Sequence, residues 1–140
     1  MATFNKFQDF AEQIGLEQHQ LSTDTLKVAL TNTLPVNTQT VFDPVTNHAA
    51  PAAANGYTAG GEDTTNTWSE SGGTATAGAT DVVFTASGGQ IGPFRYVVLY
   101  NDTNATDQLI GWWDYGSSIT LEDTETFTVD FAADTLFTLA

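Results

Sequence analysis

The sequence predicts a mainly β protein: an antiparallel β-sandwich or barrel-like domain with one short N-terminal α-helix. Three observations lead there. Short apolar runs recur along the C-terminal half with turn residues between them, which is the spacing of antiparallel strands. Threonine, whose branched side chain suits the solvent face of a strand better than a helix, occurs 24 times. Asn55-Gly56, Gly60-Gly61 and Gly72-Gly73 supply turn signals. A hydrophobic content of 41% with 11% aromatic residues sets the chain apart from a disordered acidic one. Its 140 residues suffice for a single domain, 1–140, that closes a core without metal or disulfide.

The elements follow in order. Phe4, Phe7, Phe10, Ala11 and Ile14 recur at helical spacing, with Thr3 as N-cap and Gly15 as stop, which predicts an amphipathic helix or arm over residues 1–15. Such a stripe docks on the chain's own sheet or on a neighbouring subunit. Three phenylalanines exceed what a short peripheral helix needs for docking alone, so Phe4, Phe7 and Phe10 are candidate intermolecular contacts. In Thr25–Thr31, Leu26, Val28 and Leu30 share one face of a half-buried strand. Residues 44–80 are rich in Ala, Gly, Thr, Asn and Ser and predict a long, partly extended loop region with one or two short strands. Tyr57 and Trp68 are its evident anchors and further contact candidates.

Strands are then expected at 81–85, 94–100, 109–115, 125–131 and 134–139. The 94–100 run is apolar on both faces except at Arg95, as a central strand requires, whereas Thr126, Thr128 and Asp130 give the 125–131 strand one wet face. No internal repeat is evident.

Seventeen acidic residues face three basic ones, Lys6, Lys27 and Arg95, for a formal charge of −14. That charge opposes approach to a phosphate backbone or an anionic bilayer, so neither nucleic acid nor membrane is an expected partner. The acids are spread from Asp9 to Asp134 as a solvated surface that resists aggregation. The absence of cysteine excludes disulfides and thiolate zinc sites and permits synthesis in a reducing compartment. The N-terminal residues contain no apolar h-region, and no stretch approaches the ~18 apolar residues of a membrane span, so neither signal-dependent export nor insertion is expected.

Signals of catalysis are sparse. His19 and His48 each sit in polar loop context, and no Gly-x-Ser-x-Gly or His-Glu-x-x-His motif occurs. Asp114, beside Trp112, Trp113 and Tyr115, resembles half of a glycosidase pair, because a carboxyl against aromatic rings has its pKa raised. One such residue does not make a site, and no catalytic or cofactor-binding residue is assigned. The Trp112–Tyr115 cluster also suggests a sugar-stacking platform. Strand alternation would instead place Trp113 and Tyr115 on one face and Trp112 and Asp114 on the other, leaving at least one tryptophan to the core. Glu62-Asp63 and Glu122–Glu125 lack the spacing and glycine of a calcium loop, so no metal ligands are assigned. Gly88–Gly92 has no helix or lysine after it and reads as a tight bend before the central strand.

Phe4–Phe7, Asp24–Thr33, Asn55–Gly61, Ile91–Tyr96 and Leu109–Gly116 resemble a family of small tailed-bacteriophage proteins, typically encoded near the major capsid protein. The resemblance spans the chain. It implies a non-enzymatic capsid decoration, or cement, protein: a small symmetric oligomer, trimer favoured, that binds the major capsid protein on the outside of the head. It also implies synthesis in the host bacterial cytoplasm, and it brings no catalytic residues. On this basis Phe4, Phe7, Phe10, Tyr57 and Trp68 become candidate oligomer or capsid contacts. A head or tail module that binds host carbohydrate through Trp112, Trp113 or Tyr115 is the alternative.

Overall fold

A computed structural model describes residues 2–140. The chain is mainly β, with antiparallel sheets and one short helix, as the sequence predicts. Its long five-stranded sheet runs β1(Asn5–Lys6), β8(Leu109–Leu121), β7(Ile91–Asn101), β2(Leu26–Thr31), β3(Glu62–Asp63). A second layer comprises β10(Thr135–Leu139), β5(Thr74–Gly78) and β4(Thr67–Ser71), with β6(Val82–Thr85) paired to β9(Thr126–Val129). Both layers contribute to one core. Leu26, Val28, Leu30, Val97, Leu99 and Trp113 from the long sheet meet Ala77, Leu136, Val82, Phe84 and Val129 from the other layer.

The strands expected from residue 81 onward are all present, and the central position of β7 is confirmed by β8 on one side and β2 on the other. Its inner face carries Val97 and Leu99; its outer face carries Val98 and Tyr100, which join a second core with Phe7, Ala29, Phe42 and Leu109. A strand covered on both faces has no use for polar alternation.

Two expectations change. The helix α1 covers only Asp9–Gly15, stopping at Gly15 as expected, but its N-cap is Gln8 and no side chain caps it. Phe4 and Phe7 lie outside it, flanking β1, where Asn5 and Lys6 pair with Trp112 and Gly111. A three-residue spacing of apolar side chains fits a helix, yet here Phe4 fills one core and Phe7 the other from extended chain. The 44–80 region is more ordered than a loop: β3 and the β4–β5 hairpin occupy its second half. Gly72-Gly73 make the hairpin turn, both with positive φ.

Candidate functional site

The segment Gly111–Gly116 holds the most chemistry per residue. It lies on β8 opposite β7, with Val97 facing Trp113, Val98 facing Trp112 and Tyr96 facing Asp114. Register therefore fixes which ring faces which core. Trp113 is buried inward, 5.3 Å from the Phe4 ring and 5.7 Å from Phe131. Tyr115 packs inward on Phe127 at 5.0 Å, and burial raises its hydroxyl pKa to about 12. Trp112 points the other way, half-buried against the second core and 6.1 Å from Tyr96. The alternation read from the sequence holds, and the three rings do not form one stacking platform.

Asp114 is not the raised carboxyl that its aromatic neighbours suggest. Arg95 Nε and Nη2 donate to its two oxygens at 2.8 and 3.0 Å, and the Gly116 N–H donates to Oδ1. The Arg95 guanidinium, then that N–H, hold its carboxyl below the ordinary carboxylate range. A carboxylate clamped in its charged form does not act as a general acid at neutral pH. The guanidinium also lies 5.3 Å from the Tyr96 ring centre.

Sequence reasoning missed both histidines as buried groups, because neighbouring polar residues disguise a loop that is packed over a sheet. His48 is fully buried in the second core, stacked at 5.6 Å on Phe42. Its Nδ1 accepts from the Asp43 N–H at 3.2 Å, so the proton resides on Nε2, which donates to Gln39 Oε1 at 3.1 Å. Burial pushes its pKa down to about 4 against the pull of Asp43. His19 is held by Asn101, whose side-chain amide donates to its Nδ1, and burial lowers its pKa too. His48 acts as a neutral wedge bonded through both ring nitrogens, whereas His19 is bonded through Nδ1 alone and its buried Nε2 meets no partner among the described residues.

The contact candidates are largely internal. Phe7, Phe10 and Tyr57 are buried, and the Tyr57 hydroxyl accepts the Leu30 N–H at 3.1 Å. These three side chains have no free surface to offer a second molecule while the fold is intact. Phe4 and Trp68 are half-buried: Phe4 stacks on Phe137, and Trp68 packs at the core's edge. Trp68 also lines a surface cavity of about 160 Å³ with Ile14, His19, Leu21, Ser22 and Leu139, room for a single ring.

Among the described residues, no three His, Asp or Glu side chains gather as a metal site, and no helix is long and apolar enough to cross a membrane. Several acids instead close turns. Asp43 accepts from the Val45 and Thr46 N–H groups and Glu125 from the Glu122 N–H, while Asp123 accepts from the Gly88 N–H of a separate loop.

The stretches Asp24–Thr33, Asn55–Gly61 and Leu109–Gly116 have roles within the fold. Gly111 leaves room for the Phe4 ring, since a Cβ there would collide with it. Gly61, at φ +84°, lies where a Cβ would collide with the Val28 carbonyl oxygen, so only glycine lets β3 reach β2. The Gly60 carbonyl accepts from the Tyr100 hydroxyl at 2.7 Å. Asp24 accepts from Asn101 Nδ2 at 2.6 Å, and Lys27 pairs with Asp102 at 3.1 Å. No family model matches the chain, and no curated protein and no solved structure matches it.

Proposed function

We propose that this protein is a non-enzymatic structural component of a bacteriophage particle: a decoration protein that binds the outside of the icosahedral head and holds neighbouring capsomers together. One observation supports this most. Four of the side chains singled out for chemistry are engaged within the fold: Asp114 by Arg95, His48 by Asp43 and Gln39, Trp113 and Tyr115 by core rings. The outward surface of the two-layer domain carries most of the 17 acids, which suits a part that adds cohesion rather than turnover. The phage-like stretches point to the same role, with the major capsid protein as partner and self-association into a small symmetric oligomer, trimer favoured. The site of action is then the virion exterior, after synthesis in the host cytoplasm.

The carbohydrate-binding alternative loses its platform when the three rings divide between two faces. Copy number separates the two readings. A cement protein is present in fixed proportion to capsid subunits, whereas an adhesin is present in few copies. Quantitative gel densitometry of purified particles should find the fixed proportion; a handful of copies per particle would overturn the decoration role.

A further inference from the structure

His19 carries a buried donor that the fold leaves unused. Asn101 fixes which nitrogen it is: its Oδ1 accepts the Thr103 and Asn104 N–H groups at 3.0 and 3.2 Å, so its amide nitrogen is the end that faces His19, and it donates to Nδ1 at 3.1 Å. The proton of the neutral imidazole therefore sits on Nε2. That N–H belongs to a ring only 7% exposed, and it meets no acceptor among the described residues. An N–H stripped of water and given no partner is rare in a folded chain.

The same ring lines the cavity between α1 and the second layer. Ile14 of α1, Leu21, Trp68 of β4 and Leu139 of β10 are its apolar walls, and Ser22 adds one hydroxyl. Its volume of about 160 Å³ is close to the ~150 Å³ of an apolar protein cavity that takes up benzene. Size and walls thus suit one flat ring. The polar groups suit one hydroxyl on that ring, whose oxygen accepts the His19 Nε2–H and whose proton goes to Ser22 Oγ. Charge sets the last condition. Asp24, bonded to the same Asn101 amide at 2.6 Å, and Asp9 both act on His19 and disfavour an anion, while no carboxylate among the described residues lines the cavity to hold a cation.

We propose that this cavity is a binding site for a neutral phenol, seated with its ring against Trp68 and its hydroxyl between His19 Nε2 and Ser22. Nε2 is itself screened from water, so the hydroxyl reaches it as Leu139, 48% exposed at the rim, turns aside. The site goes beyond the decoration role and does not depend on it.

Titration of the full chain with phenol, followed in proton–nitrogen correlation spectra that resolve the imidazole and indole nitrogens, tests it. Phenol should bind saturably in the millimolar range or tighter and move the His19 Nε2 and Trp68 indole signals, leaving those of the enclosed His48 in place. Benzene, which lacks the hydroxyl, should bind at least about threefold more weakly, the worth of one modest hydrogen bond. Benzoate should not bind. Leu139→Trp, which fills the cavity from an exposed position, should abolish phenol binding at an unchanged melting temperature, and Ser22→Trp serves if that variant misfolds. N-acetyltyrosinamide separates two sources of the same ring: displacement of phenol by it would point to a partner's tyrosine side chain, and its exclusion to a free phenol. Absence of saturation, benzene or benzoate binding as tightly as phenol, or binding that survives a folded tryptophan variant would each overturn the proposal.

Discussion

At the scale of residues, His48 gives the sharpest expectation. In the folded chain its pKa is about 4, set by burial; unfolded, it returns to near the ordinary 6.5. Between those values the unfolded chain binds a proton that the folded chain refuses. Its contribution is therefore complete above pH ~6.5 and is lost as pH falls toward ~4, a difference on the order of 3 kcal/mol at 1.36 kcal/mol per unit. His19, also lowered by burial, acts in the same direction. Thermal melts across that window should fall steeply for the wild type and less steeply for His48→Gln, which keeps a donor and an acceptor but does not titrate. Parallel curves would show that His48 is not the buried neutral wedge described. Neither histidine is legible as buried from sequence, since burial comes from Phe42, Phe7 and Phe10 folding over them.

At the scale of elements, the N-terminal segment is part of the core rather than a detachable arm. Phe7 is wholly buried, and Phe10 sits 5.3 Å from Phe137 of β10. Phe7→Ala or Phe10→Ala should each cost about 3–5 kcal/mol, a large share of the 5–15 kcal/mol that a domain of this kind possesses. Denaturant titration reads this directly. A loss under about 1 kcal/mol would restore the arm reading, and deletion of residues 1–15 would then give a folded protein. The sequence made the strands legible because β7 and β8 have long apolar runs and β9 alternates threonine with apolar side chains, patterns with no competing helical reading. It misled at Phe4 and Phe7 because spacing records which side chains are apolar, and two cores on opposite faces of one sheet absorb them from extended backbone as well as a helix would. The Trp112–Tyr115 face assignment was legible since strand alternation is strict; the Arg95 clamp on Asp114 was not, since the two residues are 19 positions apart and meet only through the β7–β8 register.

At the scale of the whole molecule, 17 acids share a surface with three basic residues, two of which are committed to ion pairs with Asp102 and Asp114. Self-repulsion should make the isolated fold more stable as salt rises toward physiological strength and beyond, the reverse of a protein held by surface ion pairs. A melting temperature that falls with sodium chloride would contradict that balance. Under the proposed cement role, the same scarcity of positive charge would leave apolar packing and backbone pairing to hold the protein on a head, so attachment should survive molar salt. A ligand that binds the assembled shell but not separate subunits stabilises assembly by its binding free energy at every site it occupies. The most direct measurement is the opening temperature of heads with and without this protein, followed by release of packaged genome. Decorated heads should open at the higher temperature, and adding purified protein to bare heads should restore the difference. Equal opening temperatures at full occupancy would contradict the cement role.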